Sequence, residues 1–351
     1  MYWAWCNAAF DLERYGGRQL VWLNMDETMI AYNYAHKKGT VADPKYWDNI
    51  NASLLHEGID TGSTRTNLSL LACMASDPMI QQRLPQVIKA KSKVFPQYLR
   101  DVVGELCPEN VTIWCDSSAW NTQKAFEAWV LELARCLAEF EHTHRFILVV
   151  DASKTHINRT IALACYMIGL VFVLIPGGLT WMLQPCDVYL FASLKKRIRD
   201  RLHAERLACP DGQLQKVRWL VVLLEEVGRL RDGDHAHSFA RLGLDGRQSN
   251  TRAVNDQCII SERYVLGNSR SIPSLEELLF ALGRKTAPFY DDLMLPFIEP
   301  AAPPALASTL SAAQRRRQLR IVTPVATPEV LRGPQRANVR IVTERLGFPA
   351  S

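Results

Sequence analysis

The stretch RFILVVDAS, residues 145–153, decides the fold class. It places five apolar residues, Phe146 to Val150, in an unbroken run that ends in Asp151. A continuous apolar run of this length is typical of a strand that is buried on both faces of a sheet. The chain therefore contains at least one fully buried strand, and its carboxyl end is occupied by an aspartate.

Helices and further strands surround this stretch. Residues 121–142 carry apolar side chains at helical spacing, and Asn121 or Thr122 is placed to cap that helix. Leu20–Met25 is a second apolar run, and it leads directly into Asp26. Further predicted elements are strands over 67–76, 111–118 and 171–175 and helices over 161–168, 187–206 and 215–231. Strands mixed with helices in this way indicate a layered α/β domain.

Three aspartates follow strands of this predicted sheet. Asp26 and Asp151 end buried strands, and Asp187 begins a helix in the stretch MLQPCDVYLFASLKK, residues 182–196. The carboxyl ends of strands are where α/β sheets bind ligands. Three converging carboxylates raise one another's pKa unless a cation lies between them, and Mg²⁺ takes carboxylate oxygens as ligands. Glu27 points to the opposite face of an extended strand, so we do not include it among the ligands.

Each of these aspartates also has an ordinary structural interpretation. Aspartate is common in turns and is a favoured helix N-cap, so Asp187 on its own is explained as a cap. From residue spacing alone, the metal site and the structural interpretation both remain open.

Composition separates a balanced body from a cationic tail. The chain has 351 residues and a net charge of +5, but residues 301–351 hold eight arginines and two glutamates, a net +6. Such a tail favours nucleic acid or another polyanion as the partner. The nine cysteines form no Cys-x-x-Cys pair, which indicates free thiols. Residues 160–182 are uncharged, yet their unbroken apolar run is shorter than the roughly 20 residues of a membrane span, so we expect no membrane partner.

The same pass along the chain predicts four segments. They are a lead-in without a helix-turn-helix at 1–19, an α/β core at 20–208, a mostly helical extension at 209–299, and a basic, disordered Pro/Ala/Arg-rich tail at 300–351.

Several blocks of sequence, in order, resemble the DDE superfamily endonuclease domain of pogo-like transposases, the group that includes centromere protein B and Jerky-type proteins. The blocks are NMDETMIAY (24–32), NLSLLACMAS (67–76), SSAWNTQKAFEAWVLEL (117–133), RFILVVDASKTHI (145–157) and VFVLIPGGLTWMLQPCDVYLFASLKKRIR (171–199). The Leu-Gln-Pro-x-Asp block, followed by Phe191 and Lys195, is the most specific of them.

The resemblance implies a fold, a site and a reaction. The fold is a ribonuclease H-like mixed sheet flanked by helices. Asp26, Asp151 and Asp187 are the implied catalytic residues and the ligands of two Mg²⁺ or Mn²⁺ ions, which activate a water or a DNA 3′-hydroxyl and stabilise the leaving oxygen. His156 and Gln184 are implied as residues that support these ligands. The implied function is metal-dependent DNA cleavage and strand transfer in the nucleus, and it allows a homodimer.

The helix after Asp187 supplies the predicted contact with DNA. Its basic residues, Lys195, Lys196, Arg197 and Arg199, would lie along a phosphate backbone. A solvated helix face is the alternative interpretation of the same four residues.

Departures from the family pattern leave alternatives open. Met29 stands where the family usually has glycine, Trp181 where it has histidine, and Cys186 where it has leucine. No helix-turn-helix fits before Leu20, which indicates either a truncated product or a chain without a DNA-reading part. The alternatives are therefore a domesticated, catalytically inactive protein that binds DNA or protein, and a fragment of a decayed element.

Overall fold

The computed structural model describes residues 1–12, 17–31, 67–91, 106–116, 121–208, 216–244, 271–298 and 329–332. The strands are β1 (Gln19–Ala31), β2 (Asn67–Ala75), β3 (Gln86–Lys91), β4 (Val111–Asp116), β5 (His144–Asp151), β6 (Leu170–Ile175) and β7 (Glu329–Arg332). The helices up to the third predicted aspartate are α1 (Tyr2–Asp11), α2 (Pro78–Gln81), α3 (Gln123–Leu137), α4 (Arg159–Met167) and α5 (Thr180–Leu183). Those that follow are α6 (Phe191–Ala208), α7 (Lys216–Gly228), α8 (Ala236–Arg241), α9 (Leu275–Leu282) and α10 (Tyr290–Ile298).

The described strands form one mixed sheet in the order β6-β5-β1-β2-β3-β4-β7. β1, β2 and β3 are antiparallel neighbours, whereas β5 and β6 run parallel to β1. This arrangement is the ribonuclease H-like mixed sheet, here widened by β4 and β7 beyond β3. The predicted fold class is confirmed.

β5 and β6 are the buried strands that their apolar runs predict. Phe146 to Val150 and the whole of β6 are buried. Helix α3 packs its apolar side chains into the same core, with Phe126 and Trp129 stacked at a centroid distance of 5.7 Å. The hydroxyl of Thr122 accepts from the backbone N–H of Ala125, which confirms Thr122 as the cap of this helix.

β1 is longer than its sequence predicts. The prediction ended the strand at Met25, but the structure carries it to Ala31, so Asp26 lies in mid-strand. The reason is that β1 has two neighbours of different length. Its parallel pairing with β5 extends to Asn24, opposite Val149, whereas its antiparallel pairing with β2 continues to Ala31. Asp26 therefore lies where β5 is ending, two residues beyond Asn24.

Residues 1–12 pack into the same hydrophobic core as the sheet. Helix α1 buries Trp5 completely in the core, and the indole Nε1–H of Trp3 donates to the carbonyl of Leu242 at 3.1 Å. The sequence analysis described residues 1–19 only as a lead-in and did not identify this helix. Its apolar residues, Trp3, Trp5 and Phe10, have no charged face beside them that would make a helical period visible.

The described parts of residues 209–299 form helices α7 to α10, which pack against the sheet layer and against α4. In the predicted disordered tail, residues 329–332 form strand β7, which pairs antiparallel with β4. The strand at 329–332 differs from the predicted disorder, and the rest of 300–351 lies outside the described residues.

No helix in the described ranges has both the length and the apolar character needed to cross a bilayer. Of the cysteines within those ranges, Cys6, Cys73, Cys107, Cys165 and Cys186 are free thiols.

Candidate active site

The three predicted aspartates converge at one edge of the sheet. Asp26 comes from the middle of β1, Asp151 from the end of β5, and Asp187 from the turn before α6. Burial, followed by the nearby charge of Asp187, raises the pKa of Asp26 to about 8. Burial also raises the pKa of Asp187, which is hydrogen-bonded to Asp26 and feels the charge of Asp151. These carboxyls therefore hold a proton more tightly than isolated aspartates do.

Asp187 lies in a widened helical turn rather than at a regular N-cap. Cys186–Leu190 form one π-helical turn, and α6 begins at Phe191. Single π turns are frequent at functional sites because they redirect one side chain without breaking the helix. No side chain of this turn caps the helix. The interpretation of Asp187 as an ordinary cap is therefore wrong.

A buried asparagine ties this turn to the sheet. The side-chain amide of Asn24 donates to the carbonyl of Val149 at 2.8 Å, and its oxygen accepts from the backbone N–H of Cys186 at 2.9 Å. One side chain thus bonds β1, β5 and the turn that carries Asp187. Sequence reasoning missed Asn24, although a polar residue inside the apolar run before Asp26 is a recognisable signal.

Gln184 lies directly beneath Asp26. It is completely buried, and its side-chain oxygen accepts from the amide of Asn24 at 3.2 Å. A hydrogen bond from Gln184 to the Asp26 carboxyl lowers the pKa of that carboxyl and offsets part of the effect of burial. Because amide donors favour the ionised carboxylate, Gln184 stabilises the form of Asp26 that binds a cation.

His156 contacts the carboxylate of Asp151. Its Nδ1 lies 2.5 Å from Asp151 Oδ1, and its Nε2 lies 3.6 Å from Glu27 Oε1. Burial by itself lowers the pKa of His156, but the two carboxylates outweigh it and raise the pKa to about 9. The ring of Phe126 packs against the imidazole at 4.2 Å. His156 is therefore a buried imidazolium that holds Asp151 in place.

Glu27 reaches the site from the other face of β1. The sequence analysis left it out because adjacent strand residues point in opposite directions. Glu27 nevertheless joins the site through His156, and its carboxylate also accepts a hydrogen bond from the amide of Asn121. No periodicity along β1 marks this link, because it depends on how the loop after β5 packs on the sheet.

The basic residues of α6 divide into two groups. Arg197 is paired with the fully buried Glu226 of α7 at 3.1 Å, and Arg201 joins the same carboxylate at 2.9 Å. Lys196 and Arg199 are exposed. Lys195 is half-buried. Burial lowers its pKa, and the charge of Asp187 works in the opposite direction, which places its ammonium near the carboxylates.

Trp181 is the exposed aromatic residue beside this turn. It lies on the short helix α5 and its side chain is 66% exposed, so it takes no part in the core. Gly178, with φ of 78°, adopts the left-handed conformation that lets the chain reverse between β6 and α5.

The three carboxylates fit a hard divalent cation by donor type and charge. All their donor atoms are oxygens, and the raised pKa values of Asp26 and Asp187 reflect a repulsion that a cation would relieve. Within the described ranges, no group of three acidic, histidine or cysteine side chains is spaced closely enough to hold a metal ion.

Comparisons with known proteins show one family similarity. Residues 65–223 match the model of the DDE superfamily endonuclease, a range that contains Asp151 and Asp187 and begins after Asp26. No curated protein matches the chain.

Two solved structures illustrate the structural similarities. The Mos1 transposase paired-end complex with left transposon end is 15% identical, with a TM-score of 0.33 over 66% of this chain and 61% of that chain. The Mos1 mariner paired end complex with Mn is 15% identical, with a TM-score of 0.32 over 66% of this chain and 62% of that chain. The chain thus spans about six-tenths of the length of these proteins, and the fold rests on its own strand order. Over residues 65–223, this chain is similar to the DDE superfamily endonuclease.

Proposed function

We propose that this chain is a transposase-derived nuclease domain of the pogo-like group, which binds DNA and cleaves its phosphodiester bonds with divalent metal ions. The observation that supports this function best is the convergence of Asp26, Asp151 and Asp187 at one sheet edge, with the pKa of Asp26 raised to about 8. Packing carboxylates this closely is unfavourable unless a cation is bound between them.

Each side chain has a distinct task in this proposal. Asp26, Asp151 and Asp187 would hold two Mg²⁺ or Mn²⁺ ions, which supply an activated water or 3′-hydroxyl and stabilisation of the leaving oxygen. Gln184 favours the ionised form of Asp26, because it donates to that carboxyl and offsets part of the effect of burial. His156 fixes the orientation of Asp151.

DNA is the proposed substrate and partner. Lys196 and Arg199 are exposed on α6 and are placed to contact phosphates, and Lys195 would attract a phosphate towards Asp187. Arg197 contributes less to DNA binding, because its guanidinium is already paired with the buried carboxylate of Glu226. Strand transfer, a homodimeric assembly and a nuclear location belong to the same proposal and follow from the resemblance.

Calorimetric titration with Mn²⁺ tests the site. We expect the wild-type chain to bind Mn²⁺ with release of protons, since Asp26 must lose its proton, and to nick supercoiled DNA when Mn²⁺ is present. Asp187→Asn should abolish both. Asp200→Asn, an exposed aspartate on the same helix, is the matched control and should leave both unchanged. Equal binding by wild type and Asp187→Asn would refute the three-aspartate site.

A domesticated, catalytically inactive DNA-binding protein is the second candidate. The observation that favours this candidate is that Lys196 and Arg199 are exposed on α6. Their contact with DNA does not require the carboxyl of Asp26 to be ionised. Salt-dependent DNA binding by a folded chain that neither binds Mn²⁺ nor nicks DNA would favour this candidate.

A further inference from the structure

An open cavity of about 560 Å³ lies next to the loop that follows Asp151, and none of the three aspartates lines it. Two segments form most of its walls, together with Gln123 of α3. One is the loop after β5 with the start of α4, and the other is the connection between α9 and α10. Four basic residues lie in these walls: Lys154, Arg159, Arg284 and Lys285. We refer to these four residues and the cavity between them as the basic cleft.

The second wall is held firmly in place. Helix α9 ends at Gly283, which has φ of 60°, and the backbone N–H of Arg284 turns back to the carbonyl of Leu279 at 3.0 Å. This left-handed ending fixes the direction in which the chain leaves the helix. The backbone N–H of Gly177, in the loop after β6, donates to the carbonyl of Ala281 at 3.1 Å. The end of α9 is therefore anchored to the same loop that leads towards Asp187.

The cleft carries a strong positive charge. Lys154 and Lys285 are exposed, and Arg284 is half-buried. Arg159 is paired with Asp292 at 2.9 Å, while its side chain remains 72% exposed. No acidic side chain of the described residues lines the cavity, so the four cations offset by Asp292 leave a net charge of +3.

The cleft is adjacent to the carboxylates. Lys154 follows Asp151 by three residues, and Ile157 in the cleft wall is the neighbour of His156, which binds Asp151. The N-terminus of α4, capped by Asn158, opens into the same cavity and adds the partial positive charge of a helix dipole. An anion in the basic cleft therefore lies on a path that leads to the aspartates.

We propose that the basic cleft binds the phosphate backbone of DNA and guides the strand to Asp26, Asp151 and Asp187. This inference rests on the proposed function and adds a second DNA contact, separate from α6 and half supplied by residues beyond the matched range 65–223. The cleft is open to solvent, and its cations lie on two different segments. This geometry fits several consecutive phosphates better than one enclosed small anion.

Charge removal in the cleft tests the proposal. We expect Arg284→Gln/Lys285→Gln to weaken binding of a labelled DNA duplex about tenfold at about 0.1 M salt, and to lower the slope of log K against log salt by about 1 to 2. Lys154→Gln, on the other wall, should shift both quantities in the same direction by a smaller amount. Fluorescence anisotropy across a salt series measures them.

The matched control removes the same charge elsewhere. Arg83 and Arg231 are exposed, and Arg83 lies near the start of β3, at the opposite edge of the sheet from the aspartates. Arg83→Gln/Arg231→Gln should bind the duplex as the wild type does. Mn²⁺ titration of the cleft variant should match the wild type, which shows that the fold and the aspartates are intact.

Three outcomes overturn the proposal. The cleft variants bind DNA with the affinity and salt slope of the wild type, the wild type binds Mn²⁺ but no duplex, or millimolar inorganic phosphate displaces the duplex more than chloride of equal ionic strength does. The last result would assign the cleft to a small anion. None of the three bears on the aspartate site, because failure of that site appears as loss of Mn²⁺ binding.

Discussion

His156 lies between two carboxylates and connects the two faces of β1. Asp151 accepts from one ring nitrogen, and Glu27 lies near the other. A buried cation of this kind persists only if its neighbours are anionic, and its pKa of about 9 expresses that dependence. At the scale of single residues, the site therefore has two parts. The carboxyls of Asp26 and Asp187 repel one another, and the positive charge of His156 offsets the negative charges of Asp151 and Glu27.

Asp26 gives the folded protein a specific pH dependence. Its carboxyl holds a proton up to about pH 8 in the folded state, whereas the unfolded chain releases that proton near pH 4. Because the folded state binds more protons in this window, this residue makes the free energy of unfolding fall as pH rises from about 4 to about 8. Asp26→Asn should remove that slope and raise the unfolding free energy at about pH 8 by about 1–3 kcal/mol.

Urea unfolding with a chelator present, at about pH 5 and about pH 8, measures this difference. Asp200→Asn serves again as the control, because that aspartate is exposed. The prediction fails if Asp26→Asn is less stable than the wild type at the higher pH, or if it keeps the wild-type slope.

Helix α6 is attached to α7 through one buried carboxylate. Glu226 is completely buried and binds Arg197, Arg201 and Arg229. The guanidinium groups keep its pKa below the ordinary value, although burial acts in the opposite direction. At the scale of elements, part of the basic face of α6 is thus a docking surface for α7, and Lys196 and Arg199 are exposed on the same helix.

Glu226→Gln should destabilise the protein, because it leaves the guanidinium groups without their counter-charge. We expect a loss of about 2–4 kcal/mol in unfolding free energy. Glu225→Gln removes a neighbouring, exposed partner of Arg201 and should cost less than about 1 kcal/mol. Urea denaturation compares the two variants, and equal losses would contradict the assignment of Glu226 as the central contact.

At the scale of the whole molecule, the amino-terminal helix α1 contacts the helical extension. Trp3 on α1 bonds to Leu242 after α8, and Trp5 is fully buried in the common core. Helix α1 and the helical extension therefore pack together in the helical layer that covers the sheet. We infer that core and extension unfold as one cooperative unit.

Trp5→Ala tests this cooperativity. Removing a fully buried tryptophan should cost about 3–5 kcal/mol. Trp181→Ala, at a 66% exposed position, should change stability by less than about 0.5 kcal/mol. Far-ultraviolet circular dichroism and tryptophan fluorescence should report coincident single transitions for both variants. Separate transitions, or equal costs at the two positions, would contradict a single unit.

The sequence by itself determined the buried strands and the order of the three aspartates through its local patterns, and the ribonuclease H-like class followed from its resemblance to a known family. Apolar runs such as Phe146–Val150 are local signals, and burial is their direct consequence. Only the tertiary structure placed Glu27 beside His156, neutralised Arg197 with Glu226, and brought Arg284 next to Lys154. These contacts join residues far apart in the chain, and their energies depend on shared burial and charge, which no local pattern of residues encodes.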